Sequence, residues 1–460
     1  MQDSDITEAD IVITDASYDG RLVNAGRKTL VPDETTETKS VAYVYDPIVS
    51  MEVSDASDRA NEKSSALTNS VDGVHSEQWS DGLLPHAGVH YRLAGTDTSD
   101  VGTMKLRSYD SKPVASANVP SLDYTFPGES LTLDRYSALL LYGRTFTCGQ
   151  VCVANKNIQI CGAIYGPSTL DAPLYLAPGS QFSSLLYINS LFTFGGEISG
   201  SGAMTLTGHK GSSSSRPGCA FCLPQLNTNF TGAITVTITV DFSEGAKAKG
   251  GYTPEFDPAG NRFATLYVND GRNLGGPTVP ANPKAVTLQN MSRLAVADGA
   301  TDVTIDEPTR GIFVNWCGRF YVPEADETLT IKSPLAVYGE VHKEGDGLLV
   351  LANPQPTFGA AATATTPEAE STNRMFVVDG GNVKVASAYA LNGLDIVSVN
   401  DASRFVLDAD TEDETLATYG LIDTLTPGTP FAVDGAATKV AFAVTVAESI
   451  SPFSLMQHPS

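Results

Sequence analysis

Residues 194–208 read FGGEISGSGAMTLTG, and residues 338–353 read YGEVHKEGDGLLVLAN. Gly196, Glu197 and Ile198 of the first stretch correspond to Gly339, Glu340 and Val341 of the second. Gly200 and Gly202 correspond to Gly345 and Gly347, with a small shift in the loop. Each copy reads as a short strand, a tight G-x-G turn and a second strand. The apolar residues of that second strand, Met204 and Leu206 or Leu349 and Leu351, alternate onto one face. A unit this small cannot bury such a face alone, so the pattern demands stacked neighbours of the same kind.

The surrounding chain supplies them. Glycine (41) and proline (26) interrupt the 460 residues too often for long helices, and no window holds a helical period. Residues 131–142, 234–242 and 376–386 alternate as strands do. From Ser130 onward strand-like runs recur at 131–133, 138–142, 150–154, 158–164, 174–177 and 185–188. That cadence fits coils of roughly 20–30 residues, within the range of known solenoid periods. The expectation is an all-β chain with three parts. Residues 1–75 form an acidic, weakly structured N-terminal region or cap, residues 76–400 the stacked strands, and residues 401–460 C-terminal strands or a cap. A cap would cover the unpaired backbone at a solenoid's end. Polar interruptions at 209–217, 244–261 and 354–372 read as protruding loops.

Acidic residues outnumber basic ones by 53 to 29, a net charge of −24, so the surface repels phosphate backbones and anionic bilayers. Nucleic acid and membrane are therefore poor partners for such a surface. No apolar run is long enough to span a bilayer, and the start, MQDSDITEAD, has neither the basic nor the apolar region of a secretory signal.

The two stretches resemble the autotransporter-associated β-strand repeat of secreted and surface bacterial proteins, whose pattern is G-x-[IL]-x-K-x-G-x-G-x-L-x-L-x-G. Residues 341–351 follow it nearly position for position through Lys343, Gly345, Gly347, Leu349 and Leu351, with Ala352-Asn353 in place of Ser-Gly. The first copy has Ser199 or Gly200 where the lysine belongs. Asn229-Phe230-Thr231-Gly232 and the alternation after it are similar to the step that follows the repeat in that family. The resemblance covers residues 190–240 and 285–386 well and the rest loosely. It implies a right-handed parallel β-helix (β-solenoid) with an irregular N-terminal region, located outside the cell or on its surface. Since no signal or anchor is present, a processed form or a fragment is expected. The order W-S-D-G, P-x-A-G-x-x-Y, F-P-G-x-S-L between Trp79 and Leu131 resembles the opening of such helices, with Trp79 closing the end of the core.

Candidate chemistry is sparse. Cys219-Ala220-Phe221-Cys222 is a C-x-x-C without a second metal-binding pair, so Cys219 and Cys222 are the candidate disulfide if the chain is exported. Cys148, Cys152 and Cys161 read as small core residues. His86 and His90 lie four apart among glycine and proline, which argues against a helical metal pair. Residues 408–414 begin like a calcium loop but carry Asp413 where an EF-hand needs glycine and Tyr419 where it needs glutamate. Asp302, Asp306 and Arg310, or Lys343 and Asp346, are the carboxylates and bases that a glycoside hydrolase or polysaccharide lyase could use, but nothing in the sequence fixes their mutual geometry. No cofactor is expected. The expectation is a structural or adhesive passenger without catalysis, whose loops contact a glycan or a host or cell-surface protein. The alternatives are a carbohydrate-active β-helix enzyme and a carbohydrate-binding module.

Overall fold

The computed structural model describes residues 26–32, 39–45, 48–52, 65–66, 79, 85–95, 104–107, 123–141, 143–162, 167–187, 191–209, 219–239, 264–289, 292–315, 317–353, 375–387, 390, 396–399, 403–408, 431–434 and 454–457. Among these, the only helical element is the single 3-10 turn Gly271–Leu274. Strands account for the regular structure, and apart from one antiparallel pair, Gly26–Pro32 with Lys39–Tyr45, they pair in parallel.

The longest sheet has twelve strands, in chain order from Tyr124–Thr125 to Ser454–Gln457. A ten-stranded sheet runs from Ser65–Ala66 to Leu335–Tyr338. Two six-stranded sheets run from Ile48–Glu52 to Ile198–Gly200 and from Asp302–Ile305 to Phe431–Asp434. Each sheet thus takes one strand from each successive pass of the chain. The result is an all-β protein with long parallel sheets, consistent with a β-solenoid.

The register explains the cadence of the sequence. Phe146 pairs with Leu170 and Leu170 with Phe194, an offset of 24 residues each time. The offset grows where polar insertions intervene: Cys222 pairs with Tyr267 and Val341 with Phe376. Alternation then sorts the faces. Phe192, Phe221, Leu266, Leu294 and Phe320 are successive register partners and all are buried in one continuous apolar core. Each such side chain contributes about 1.5–3 kcal/mol relative to exposure. At the N-terminal end of this core Trp79 packs edge-on against Tyr91 at 4.7 Å, and Tyr91 against Phe126 at 5.2 Å. Trp79 is buried and serves as packing.

Strands from both terminal regions join the parallel sheets. Ile48–Glu52 pairs with His90–Ala94, and at the other end Ile396–Val399 pairs with Ser454–Gln457. Of the expected loop at 209–217, His209 ends the strand Ala203–His209 and the rest lies outside the described residues, as do the expected loops at 244–261 and 354–372.

Both signature turns are close-packed against an earlier pass of the chain. Gly200 and Gly345 have φ of +91° and +80°, and a Cβ on either would stand 2.1 Å from a backbone carbonyl, that of Leu176 or Val322. Only glycine meets both demands. The two copies nevertheless sit at different places. In the first, the turn joins the six-stranded sheet containing Ile198–Gly200 to the ten-stranded one containing Ala203–His209. In the second, it joins the twelve-stranded sheet at Glu340–Glu344 to the other six-stranded one at Leu348–Leu351. What recurs is the chemistry of a tight corner.

Candidate functional site

Among the described residues, charged side chains gather on one part of the outward face of the twelve-stranded sheet and are buried there. In the twelve-stranded sheet, the strands Ser292–Val296, Gly318–Tyr321 and Glu340–Glu344 turn alternate side chains away from the core. Successive register partners Thr265, Arg293, Arg319, His342 and Val377 form one outward column. Tyr267, Ala295, Tyr321 and Glu344 form the next. These side chains face away from the core, yet Arg293, Arg319, His342 and Glu344 are all buried.

Burial on this scale requires pairing, and the pairing is dense. Arg319 Nη1 donates to Glu344 Oε1 and lies 3.7 Å from Asp379 Oδ2. Arg293 Nη1 donates to Glu344 Oε2 at 3.2 Å and its Nε to Thr265 Oγ1 at 3.0 Å, while its guanidinium stacks over Tyr321 at 4.7 Å. His342 is held from both sides, Nδ1 against Asp379 Oδ2 at 2.5 Å and Nε2 against Glu340 Oε1. Cys317 completes the group, with its Sγ 3.7 Å from Arg319 Nη2 and its backbone at φ +59°.

The electrostatics follow from the geometry. Burial pushes the His342 imidazole toward its neutral form, but its bonds to Asp379, Cys317 and Glu340 outweigh this and hold its pKa well above the usual value. Burial likewise works against the Arg319 charge and is overcome by Glu344, Cys317 and Asp379. Among the described residues, Cys317, Glu340 and His342 are the one set of His, Cys and acidic side chains whose ligand atoms all converge within 4.8 Å.

The residues singled out from the sequence take other places. Gly196, Gly200, Gly202, Gly339, Gly345 and Gly347 lie in or beside corners, and Leu206, Leu349 and Leu351 are core residues. Lys343 points into the core, in register with Phe320 and Val378, and its Nζ donates to the carbonyls of Glu344, Gly345 and Gly380 at 2.9, 2.7 and 3.1 Å. Burial pushes its pKa down to about 8. Lys343 therefore ties one corner to the next and is not available as a catalytic base, and Asp346 beside it is exposed.

Asp302 and Asp306 are exposed, whereas Arg310 is buried. Arg310 donates to the Gly232 carbonyl at 2.8 Å and stacks on Phe230. Burial lowers its pKa to about 10, and its Nε and Nη1 have no partner among the described residues. His86 bonds Tyr91 and His90 bonds Ser130, and the two do not converge on a metal. Of the calcium-like stretch only Asp408 is described; residues 409–414 lie outside the described residues.

The Cys219–Cys222 disulfide is a correction. Residues three apart on a strand project to opposite faces. Cys219 points into the core, donating to the Leu186 carbonyl, and Cys222 points outward, so the bridge is not formed.

The cluster itself was missed because outward polar residues on a strand read as solvated. Its signal was present: E-V-H-K-E places Glu340, His342 and Glu344 on one face, and C-G-R-F-Y does the same for Cys317, Arg319 and Tyr321. Compared with protein-family models, curated proteins and solved structures, the chain matches none.

Proposed function

We propose that this chain is a right-handed parallel β-helix of the autotransporter-associated repeat type, secreted or displayed on a cell surface, acting without catalysis as a stiff structural or adhesive passenger. The observation that carries the reading is the unbroken parallel ladder of twelve strands over one continuous apolar core. The mechanism is geometric. Backbone hydrogen bonds run from each pass of the chain to the next, so a binding loop inserted between strands is held at a fixed height on a body that resists unfolding. The excess of acidic side chains keeps such a surface soluble and turns it away from nucleic acid. The occupants that suit exposed loops on this scaffold are a glycan or a host or cell-surface protein.

The carboxylates of the buried cluster are already committed, Glu344 to Arg293 and Arg319, Asp379 and Glu340 to His342. A hydrolase or lyase needs carboxylates or a base facing substrate instead. The test is a panel of acidic and neutral polysaccharides, scored for binding and for new reducing ends or unsaturated products. Binding without turnover is the expected result. Product formation overturns the reading in favour of a carbohydrate-active enzyme.

A further inference from the structure

We propose that Cys317, Glu340 and His342 form a zinc site on the outward face of the twelve-stranded sheet. Strand geometry brings the three together. Glu340 and His342 are two apart on one strand and so share a face. Gly318 is in register with Val341, which sets Cys317, just before its strand, beside Glu340 on the next pass of the chain. The three ligand atoms, Sγ, a carboxylate oxygen and an imidazole nitrogen, lie within 4.8 Å of one another. Tetrahedral zinc with bonds of about 2.0–2.3 Å places its ligands about 3.3–3.8 Å apart. Closing separations of up to 4.8 Å to this range takes movements of about 1 Å.

The chemistry of the donors selects the metal. Thiolate with imidazole suits zinc and disfavours calcium and magnesium, which take oxygen. His342 is already oriented as zinc-binding histidines are, its Nδ1 fixed by the Asp379 carboxylate so that Nε2 faces Glu340. Arg319 Nη2 lies 3.7 Å from Sγ, so the sulfur is held at the edge of the same cluster.

Charge is accommodated as well. With zinc bound through a thiolate and a neutral imidazole, as the metal requires, the Arg293 and Arg319 guanidinium groups and the dication oppose the Glu340, Glu344 and Asp379 carboxylates and the Cys317 thiolate. Three protein ligands leave a fourth position for water, on the side of Glu340, whose side chain is 26% exposed.

The test uses the full chain, stripped with a chelator and titrated with cobalt(II) and then zinc. One equivalent of cobalt is expected to bind with thiolate-to-cobalt charge-transfer absorption, and zinc to displace it. Cys317→Ser abolishes that absorption and Cys222→Ser leaves it intact. Asp379→Asn weakens zinc binding about 10–100-fold. Zinc-edge X-ray absorption on the unsubstituted protein keeps the test independent of folding of the variants. It is expected to show one sulfur at about 2.3 Å with nitrogen and oxygen at about 2.0–2.2 Å. Failure to bind one equivalent, a shell without sulfur, or charge transfer that survives Cys317→Ser overturns the proposal.

Discussion

Arg319 and His342 are register partners on adjacent strands of the longest sheet, both turned away from the apolar core, and both buried at 0% and 7% exposure. Two cationic side chains stacked in one column stay together because Asp379 lies against both and Glu344 and Glu340 each neutralise one. The outward face of the sheet is here a second, ionic interior.

Removing the centre of that network leaves buried carboxylates without their counter-charge. Arg319→Met is expected to destabilise the protein by about 3–5 kcal/mol. Urea denaturation checks this, and a loss below about 1 kcal/mol would show that the pair is screened as surface pairs are.

The corners make a sharper demand. Gly88 and Gly200 both have positive φ, but a Cβ at Gly88 meets nothing within 4 Å, while one at Gly200 meets the Leu176 carbonyl at 2.1 Å. Gly88→Ala carries only the conformational cost of about 1–2 kcal/mol. Gly200→Ala is expected to lose about 1–3 kcal/mol more, the usual cost of overpacking. Equal losses in thermal or urea melts would refute the close stacking.

Asp134 sets a pH dependence. Burial pushes its carboxyl up, but Arg92 at 2.5 Å, the backbone N–H of Arg135 and the Asn155 side chain together hold it below the ordinary 3.8. The unfolded chain therefore takes up the proton first. The stabilisation is fully present above that ordinary value and is lost as pH falls through the lower folded one. The stability difference between wild type and Asp134→Asn should shrink as pH falls through this window, and urea midpoints across it give the reading.

Thiol reactivity reports the core directly. Burial raises Cys148 and Cys161 to about 11 and Cys152 to about 12. Of the six cysteines only Cys222 is not buried. In native protein at neutral pH, iodoacetamide should label Cys222 first and these three only after unfolding. Peptide mapping by mass spectrometry decides it, and early labelling of Cys152 would contradict the packing.

Much of the fold was legible because its two signals are local. Alternation at Phe192 and Phe194 reports a buried face, and glycine at 200 and 345 reports a corner where nothing else fits. Which strand stacks on which was not, because insertions change the offset: Arg293 to Arg319 is 26 residues, Arg319 to His342 is 23, and His342 to Val377 is 35. For the same reason Cys317 and His342 could not be brought together from sequence. Lys343 shows the opposite limit, since a lysine in a strand reads as exposed until three backbone carbonyls are seen around its Nζ. The Cys219–Cys222 pairing failed on strand parity, which the alternation of Cys219, Phe221 and Leu223 already implied.

Parallel stacking fixes the pairwise distances between outward positions on successive passes of the chain. Gln159, Ser183, Thr205, Thr235, Thr287, Phe313 and Ala336 are successive register partners in the ten-stranded sheet. Spin labels at Gln159 and Thr287, and at Gln159 and Ala336, placed in a Cys222→Ser background, sit four and six strand spacings apart. At about 4.8 Å per strand the backbone separations are about 19 and 29 Å. Pulsed dipolar spectroscopy should give two narrow distributions that differ by about 10 Å. Broad distributions, or two distances that do not increase in this order, would contradict the parallel ladder.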